Sequence, residues 1–223
     1  PREWASLARL AGMRYVVFTA KHHSGFCMFN TRTTPFNVMN TPFGRDVTAE
    51  IVAAFREQGL AIGFYISPDD FHWFHANGYT IARPPAPNTT TRELPALREY
   101  GRAQVRELFT RYGKVDVFFI DGPADGLREL AWELQPDVVV TRGAIDTPEQ
   151  HVPGIPMDRA WEACITMGTQ WQYKALDERK SSTELIETLI EVRAKGGNLL
   201  LNIGPRPDGA LSVEEEARLR DIA

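Results

Sequence analysis

The sequence predicts an α/β fold of the (β/α)8-barrel type that is incomplete or irregular. Helical and strand patterns alternate along the 223 residues, and this order favours parallel strands joined by right-handed crossovers. Six strands are convincing where a complete barrel has eight, so we expect the first strand to lie before Pro1. No strand leads into a G-x-G-x-x-G turn, which argues against a dinucleotide-binding sheet. We expect residues 1–223 to form a single catalytic domain.

Each element follows from a local pattern of residues. Strands are short apolar runs rich in β-branched and aromatic residues, typical of buried parallel strands; they are predicted at 14–20, 61–67, 115–120, 137–140, 161–166 and 198–203. Helices are amphipathic stretches; they are predicted at 4–12, 46–58, 96–112, 127–134, 182–195 and 213–223. The second helix has the clearest limits, because Asp46 is a typical N-cap and Gly59 a typical stop. Residues 68–95 form a long insert rich in His, Phe, Pro and Thr.

Composition and charge argue against several classes of partner. The net charge is -4 with no basic cluster, so we expect no nucleic-acid partner. No apolar run reaches transmembrane length, so we expect no membrane partner either. Cys27 and Cys164 have neither metal-ligand spacing nor a disulfide framework, and we interpret both as buried small apolar residues.

Polar residues follow the predicted strands at the points where those strands end. The carboxyl ends of parallel strands meet at one rim, where ligands bind and chemistry occurs. The residues assigned to the carboxyl ends of the predicted strands are His22 and His23, Tyr65 and Ser67, Asp121, Arg142, Glu162 and Asn202. Glu149 lies in the loop after Arg142, and Trp73 and Trp171 lie in other loops. We therefore expect a pocket of carboxylates, imidazoles, an arginine and tryptophans.

Asp121 is the strongest candidate for a catalytic residue, because it directly follows the apolar run Val117-Phe-Phe-Ile120. A structural role as a helix cap or an arginine partner is the alternative. With Glu149 and Glu162 available, a carboxylate pair for glycoside cleavage is the more economical interpretation. That chemistry uses one ionised carboxylate and one protonated carboxyl group, about 5–5.5 Å apart for retention. The tryptophans suit stacking on the apolar face of a sugar.

Two further interpretations stay open. His22, His23 and Asp121 could hold a metal ion in a metal-dependent hydrolase, although hydrolase metal sites more often use His-x-His or H-E-x-x-H spacing. Neighbouring strand residues also point in opposite directions, so both histidines reach one ligand only if the chain turns. Neutral imidazoles that hydrogen-bond to sugar hydroxyls are the preferred interpretation, and we expect no metal. The other possibility is a degenerate barrel that binds sugar without cleaving it.

Several specific motifs follow one another along the chain between about Trp4 and Gly209. They are Thr19-Ala20-Lys21-His22-His23-x-Gly25-Phe26, Arg45-Asp46, Gly63-Phe64-Tyr65-x-Ser67, Tyr112-Gly113-x-Val115-Asp116 leading to Asp121-Gly122, Trp161-Glu162-x-Cys164, and Gly196-Gly197-Asn198-Leu-Leu-Leu201-Asn202-Ile203-Gly204-Pro205. On these residues the chain resembles the α-L-fucosidases of glycoside hydrolase family 29. It departs from the family pattern at Phe119, where a tryptophan is usual, and at Ser24, where an aspartate is commoner.

The resemblance implies a cofactor-independent retaining hydrolase that acts on terminal fucose of an oligosaccharide or glycoconjugate. Asp121 would attack the anomeric carbon, and a second carboxyl group would act as acid and then as base. Glu149 matches the Thr-Pro-Glu loop position and Glu162 the Trp-Glu strand position; Glu149 is preferred. The residues that match sugar-holding positions are His22, His23, Tyr65, Arg142 and Trp171. The resemblance also implies a secreted, periplasmic or lysosomal setting.

Overall fold

A computed structural model describes residues 1–82, 86–123 and 125–223 of the chain; the predicted insert at 68–95 therefore lies partly outside the described residues. The predicted strands and helices occur in the predicted order, and the strands of the described residues pair in parallel. The strands are β1 (Tyr15–Lys21), β2 (Ala61–Ile66), β3 (Val117–Ile120), β4 (Val139–Thr141), β5 (Glu162–Thr166) and β6 (Asn198–Asn202). The α-helices are α1 (Arg2–Leu10), α2 (Val47–Glu57), α3 (Phe71–Ala76), α4 (Pro95–Arg111), α5 (Leu127–Leu134), α6 (Ser182–Ala194) and α7 (Val213–Ile222).

The first of two compact units comprises residues 1–5 and 14–144. Its sheet has the strand order β1-β2-β3-β4. Gly63 sits in the middle of this sheet, where an added Cβ would lie 2.9 Å from the Val16 carbonyl oxygen and 3.0 Å from the Val117 Cβ. A glycine is therefore required for the three strands to pair closely at this level. Phe64 of β2 and Phe118 of β3, both fully buried, lie in the core of this unit.

The helices of the first unit begin and pack as their sequences predict. The Asp46 side chain accepts a hydrogen bond from the Ala49 amide at 3.0 Å, which confirms Asp46 as the N-cap of α2. Such a cap satisfies one of the amides that a helix start leaves unpaired. In α4, Leu97, Val105 and Leu108 are completely buried, as their helical spacing on one face requires.

The second compact unit comprises residues 6–13 and 145–223. Its sheet is the parallel pair β5-β6, with Glu162 opposite Asn198. The segment 146–150 runs beside β5 through parallel bridges at Asp146 and Glu149. Helices α6 and α7 both begin in capping boxes, in which a serine and a glutamate three residues later bind each other's backbone amides.

Two details of the predicted order are wrong. The prediction that Glu162 lies at the carboxyl end of a strand is wrong, because pairing with β6 begins at Glu162 itself and β5 ends at Thr166. Glu162 therefore lies at the amino end of its strand. The insert contains α3, which the sequence reading missed; its N-cap is Asp70. Among the described helices none is long and apolar enough to cross a membrane.

Candidate active site

The histidine pair lies in a tight turn immediately after β1. The Gly25 amide donates to the His22 carbonyl oxygen at 2.9 Å, and Gly25 has a φ of +85° that favours glycine. Because the chain turns here, the two imidazoles do not point to opposite sides as they would along a strand. Their ring centroids lie 4.7 Å apart, edge to face. His23 is buried and His22 is exposed.

Asp121 lies directly after β3, and three side chains interact with its carboxylate oxygens. His23 Nε2 is 3.2 Å from Asp121 Oδ2, and the Tyr65 hydroxyl donates a hydrogen bond to the same oxygen. Arg142 Nε forms an ion pair with Oδ1 at 3.2 Å. The Asp121 side chain is 20% exposed, so it is screened from bulk water but still reachable. The predicted strand-end residues of β1, β2, β3 and β4 thus meet at one carboxylate.

These contacts fix the charge state of Asp121. Burial alone raises the pKa of a carboxyl group, but the hydrogen bonds from His23 and Tyr65 and the charge of Arg142 outweigh it and lower the pKa of Asp121 to about 2. Burial, together with the hydrogen bond to Asp121, raises the pKa of Tyr65. At neutral pH the cluster therefore holds an ionised carboxylate next to a neutral phenol that donates its proton.

Aromatic rings support the carboxylate from one side. His22 stacks on Tyr65 with centroids 5.6 Å apart and planes nearly parallel, and Tyr65 stacks on Phe119 at 5.2 Å. The Arg142 guanidinium lies 5.8 Å from the Phe119 ring centre. Phe119 thus occupies the position where a tryptophan was expected and supports both Tyr65 and Arg142.

The backbone of Arg142 is strained. Its φ is +50°, in the left-handed region that costs a non-glycine residue about 1–2 kcal/mol. Such conformations persist where the surroundings hold them in place, and they cluster at functional sites. In this strained conformation Arg142 forms its ion pair with Asp121.

The same cluster meets the geometric condition for a metal site. Ligand atoms of His22, His23 and Asp121 lie within 4.8 Å of one another, the one such group in the described ranges. However, both oxygens of Asp121 already accept from donors, and the Arg142 cation lies beside one of them. A metal ion would have to displace these donors and tolerate a neighbouring positive charge, so the donor set fits an ionised carboxylate better than a metal ligand.

The candidate acid/base residues belong to the second unit and differ in environment. Glu149 is half-buried, and its backbone bridges to Cys164 of β5. Glu162 is 4% exposed, and its Oε2 accepts from Asn198 Nδ2 at 3.2 Å. Trp171, in the loop after β5, is 38% exposed. Asn202 ends β6 as predicted.

Sequence reasoning missed a buried ion pair beneath the histidine turn. Lys21 Nζ lies 3.2 Å from Asp70 Oδ2, with side chains 1% and 0% exposed. No local pattern could have found it, because the two residues are 49 positions apart in the chain. Trp73, in α3, stacks on Tyr79 at 5.6 Å, and its predicted contact with a sugar stays a prediction.

Comparison with known proteins decides the ancestry of this arrangement. The family model for alpha-L-fucosidases matches residues 1–223. The chain belongs to the α-L-fucosidase family. A putative alpha-L-fucosidase of Caenorhabditis elegans is 31% identical over 99% of this chain and 49% of its own length. The chain thus spans about half the length of the curated α-L-fucosidases it matches.

Solved α-L-fucosidase structures match the fold closely. Isoenzyme 1 from Paenibacillus thiaminolyticus has a TM-score of 0.89 and 32% identity over all of this chain and 62% of its own. A family 29 α-L-fucosidase from Bacteroides thetaiotaomicron, a trapped covalent intermediate with 2-fluoro-fucosyl fluoride, has a TM-score of 0.86 and 27% identity over 99% of this chain and 59% of its own. The predicted α/β class of the barrel type is confirmed.

Proposed function

We propose that the protein is a retaining glycoside hydrolase that releases terminal α-L-fucose from fucosylated oligosaccharides or glycoconjugates. The observation that carries the proposal is the ionised Asp121, held by His23, Tyr65 and Arg142 at the carboxyl end of β3. The trapped covalent intermediate of the Bacteroides thetaiotaomicron relative supports the retaining course of the reaction.

In this mechanism an Asp121 oxygen attacks the anomeric carbon of fucose. The bond from that carbon to the glycosidic oxygen breaks, and the leaving oxygen takes a proton from a carboxylic acid. Water, deprotonated by the resulting carboxylate, then cleaves the fucosyl ester and regenerates Asp121. A carboxylate with a pKa of about 2 is a weak base and a good leaving group, which favours the second step.

We assign the acid/base role to Glu149. The half-buried Glu149 lies in the segment beside β5, whereas Glu162 is 4% exposed at the amino end of that strand. A group that protonates a leaving oxygen and then activates water must be reachable by both. Glu162, whose carboxylate binds Asn198, is the second candidate. His22, Trp73 and Trp171 are proposed to contact the sugar.

The test is turnover of an aryl α-L-fucoside by the wild type, Asp121→Gly and a control, Asp158→Gly. Asp158 has a side chain that is 95% exposed, so its loss tests for effects of removing any carboxylate. We expect release that survives a chelator, vanishes in Asp121→Gly and persists in the control. Release that stops with chelator and returns with a divalent metal would instead support the metal-dependent alternative. A folded wild type that binds L-fucose without releasing it would support the degenerate barrel.

We further propose that residues 1–223 act as one catalytic domain, which the uninterrupted family match supports. A secreted, periplasmic or lysosomal setting is proposed on the family resemblance. Fractionation of cells that make the protein, with fucosidase activity assayed in each fraction, tests that setting.

A further inference from the structure

We propose that the buried Lys21–Asp70 pair is a positioning device that holds His22 and His23 in place and so keeps Asp121 in its reactive geometry. The inference rests on the function proposed above and deepens it. Neither residue is assigned a contact with the sugar; both act through the histidine turn.

Asp70 contacts both sides of that turn. Its Oδ2 pairs with Lys21 Nζ, one residue before His22. On the other side Gly25 approaches so closely that an added Cβ would lie 2.1 Å from Asp70 Oδ1. The turn is thus held between the end of β1 and the side chain of Asp70, and only a glycine permits that approach.

Asp70 also fixes the helix that packs on His23. Its Oδ1 accepts from the Trp73 amide at 2.7 Å and caps α3. The next residue, Phe71, donates its amide to the His23 carbonyl oxygen at 2.8 Å, and its ring stacks on His23 at 5.9 Å. A displacement of Asp70 would therefore move both the backbone and the ring contacts of His23, which in turn reaches Asp121.

Stability alone does not account for such a pair. Desolvation of two charges can exceed their attraction, so apolar replacements of buried ion pairs are often neutral or stabilising. Two neighbours of the pair carry no charge: burial raises the pKa of the Cys27 thiol to about 12 and the pKa of Tyr100, so both remain neutral. The Tyr100 ring centre lies 5.7 Å from Lys21 Nζ. Precise placement of the turn is the benefit that the geometry offers.

The test compares three variants of the pair, which are Asp70→Asn, Lys21→Met and the double variant that carries both changes. A fourth variant, Leu108→Ala, is the stability control. Asparagine keeps an oxygen for the α3 cap but removes the charge. Leu108 is fully buried in α4, so its truncation lowers stability while every side chain of the turn is kept. We expect each single variant to lower kcat by about 10²-fold, as small misplacements of reacting groups do. We also expect the acid limb of kcat/KM to move to higher pH, because Asp121 loses part of its hydrogen bond from His23.

The double variant separates positioning from stability. With both charges removed together, its Tm should recover towards that of the wild type, while kcat stays low and the acid limb stays shifted. Leu108→Ala should have a lower Tm than the wild type, but the same kcat and the same pH profile at 25 °C. The proposal is overturned if activity follows Tm in all four variants, or if the double variant regains wild-type kcat. Should the single variants not fold, the kcat and the acid limb of the double variant decide the question.

A separate readout distinguishes failure of this proposal from failure of the proposed function. If the folded wild type releases no fucose, the proposed function fails, yet histidine ¹⁵N chemical shifts still report the His23 Nε2 hydrogen bond. We expect those shifts to change in Asp70→Asn and not in Leu108→Ala. Identical His23 shifts in wild type and Asp70→Asn would overturn the positioning role on their own.

Discussion

Removal of one hydroxyl group, Tyr65→Phe, tests how the low pKa of Asp121 arises. Phenylalanine keeps the ring that stacks between His22 and Phe119. It removes the hydroxyl, which donates to Asp121 and hydrogen-bonds with Ser67 Oγ at 3.1 Å. A hydrogen bond to a charged group contributes about 1.5–3 kcal/mol, and one pKa unit corresponds to about 1.4 kcal/mol. We therefore expect the pKa of Asp121 to rise by about one to two units from its value of about 2.

The assay is the pH dependence of kcat/KM for an aryl α-L-fucoside between pH 3 and 7. An attacking carboxylate must be ionised, so activity falls as the pH drops through the pKa of Asp121. If that pKa rises to about 3.5, about three-quarters of the variant is protonated at pH 3 and kcat/KM falls about four-fold relative to pH 6. The wild type should change little over the same range.

Tyr112→Phe is the matched control. Tyr112 is also a tyrosine of the first unit with a raised pKa, and its hydroxyl donates to a different carboxylate, Asp46 Oδ2, at 2.6 Å. We expect its acid limb to match that of the wild type. An acid limb that does not move in Tyr65→Phe, or that moves equally in both variants, would refute the account of Asp121.

Other predictions concern the same site. The pKa of Asp121 falls from 3.8 to about 2 on folding, so its ionisation contributes about 2 kcal/mol of stability above pH 4 that is lost as the pH falls towards 2. In urea unfolding over that range, the wild type should therefore lose about 2 kcal/mol more stability than Asp121→Asn. Arg142→Gly should be more stable than Arg142→Ala by about 1 kcal/mol because glycine accepts the positive φ, whereas both should lose activity; equal unfolding free energies would contradict the assigned strain. Glu149→Ala should lower kcat on a poor leaving group by about 10²–10⁴-fold. On an activated aryl fucoside, azide should restore its turnover and give fucosyl azide. Glu162→Ala should mainly lower Tm because it leaves the Asn198 amide without that carboxylate; azide rescue of Glu162→Ala instead would reverse the assignment.

The site around Asp121 was predictable because apolar runs mark buried strands sharply. Where Val117–Ile120 gives way to Asp121, hydrophobicity alone fixes both the strand and its carboxyl end. The same reasoning found His22, His23 and Arg142. Because parallel strands align their carboxyl ends, local patterns were enough to bring distant residues together.

Glu162 shows where that reasoning fails. Trp161 is apolar and fits the strand pattern, and its carbonyl oxygen accepts from the Asn198 amide. Its own bridge is nevertheless an isolated one with Asp146, and the residue pairing with β6 starts at Glu162. An apolar pattern locates a strand but not the residue at which its ladder begins.

The Lys21–Asp70 pair lay beyond sequence reasoning for a different reason. Its partners are 49 residues apart, and Asp70 precedes a short aromatic helix inside a proline-rich insert. Six residues of α3 are too few to establish a helical period. Only the folded chain shows that this aspartate reaches back to the end of β1.

The central claim is that Asp121 forms the covalent bond to fucose, and trapping tests it most directly. The wild-type protein would be incubated with 2-fluoro-fucosyl fluoride, digested, and its peptides sequenced by mass spectrometry. The account predicts one fluorofucosyl group, located on Asp121. A label on Glu149, Glu162 or another residue, or turnover of an aryl fucoside by Asp121→Gly at the wild-type rate, would contradict it.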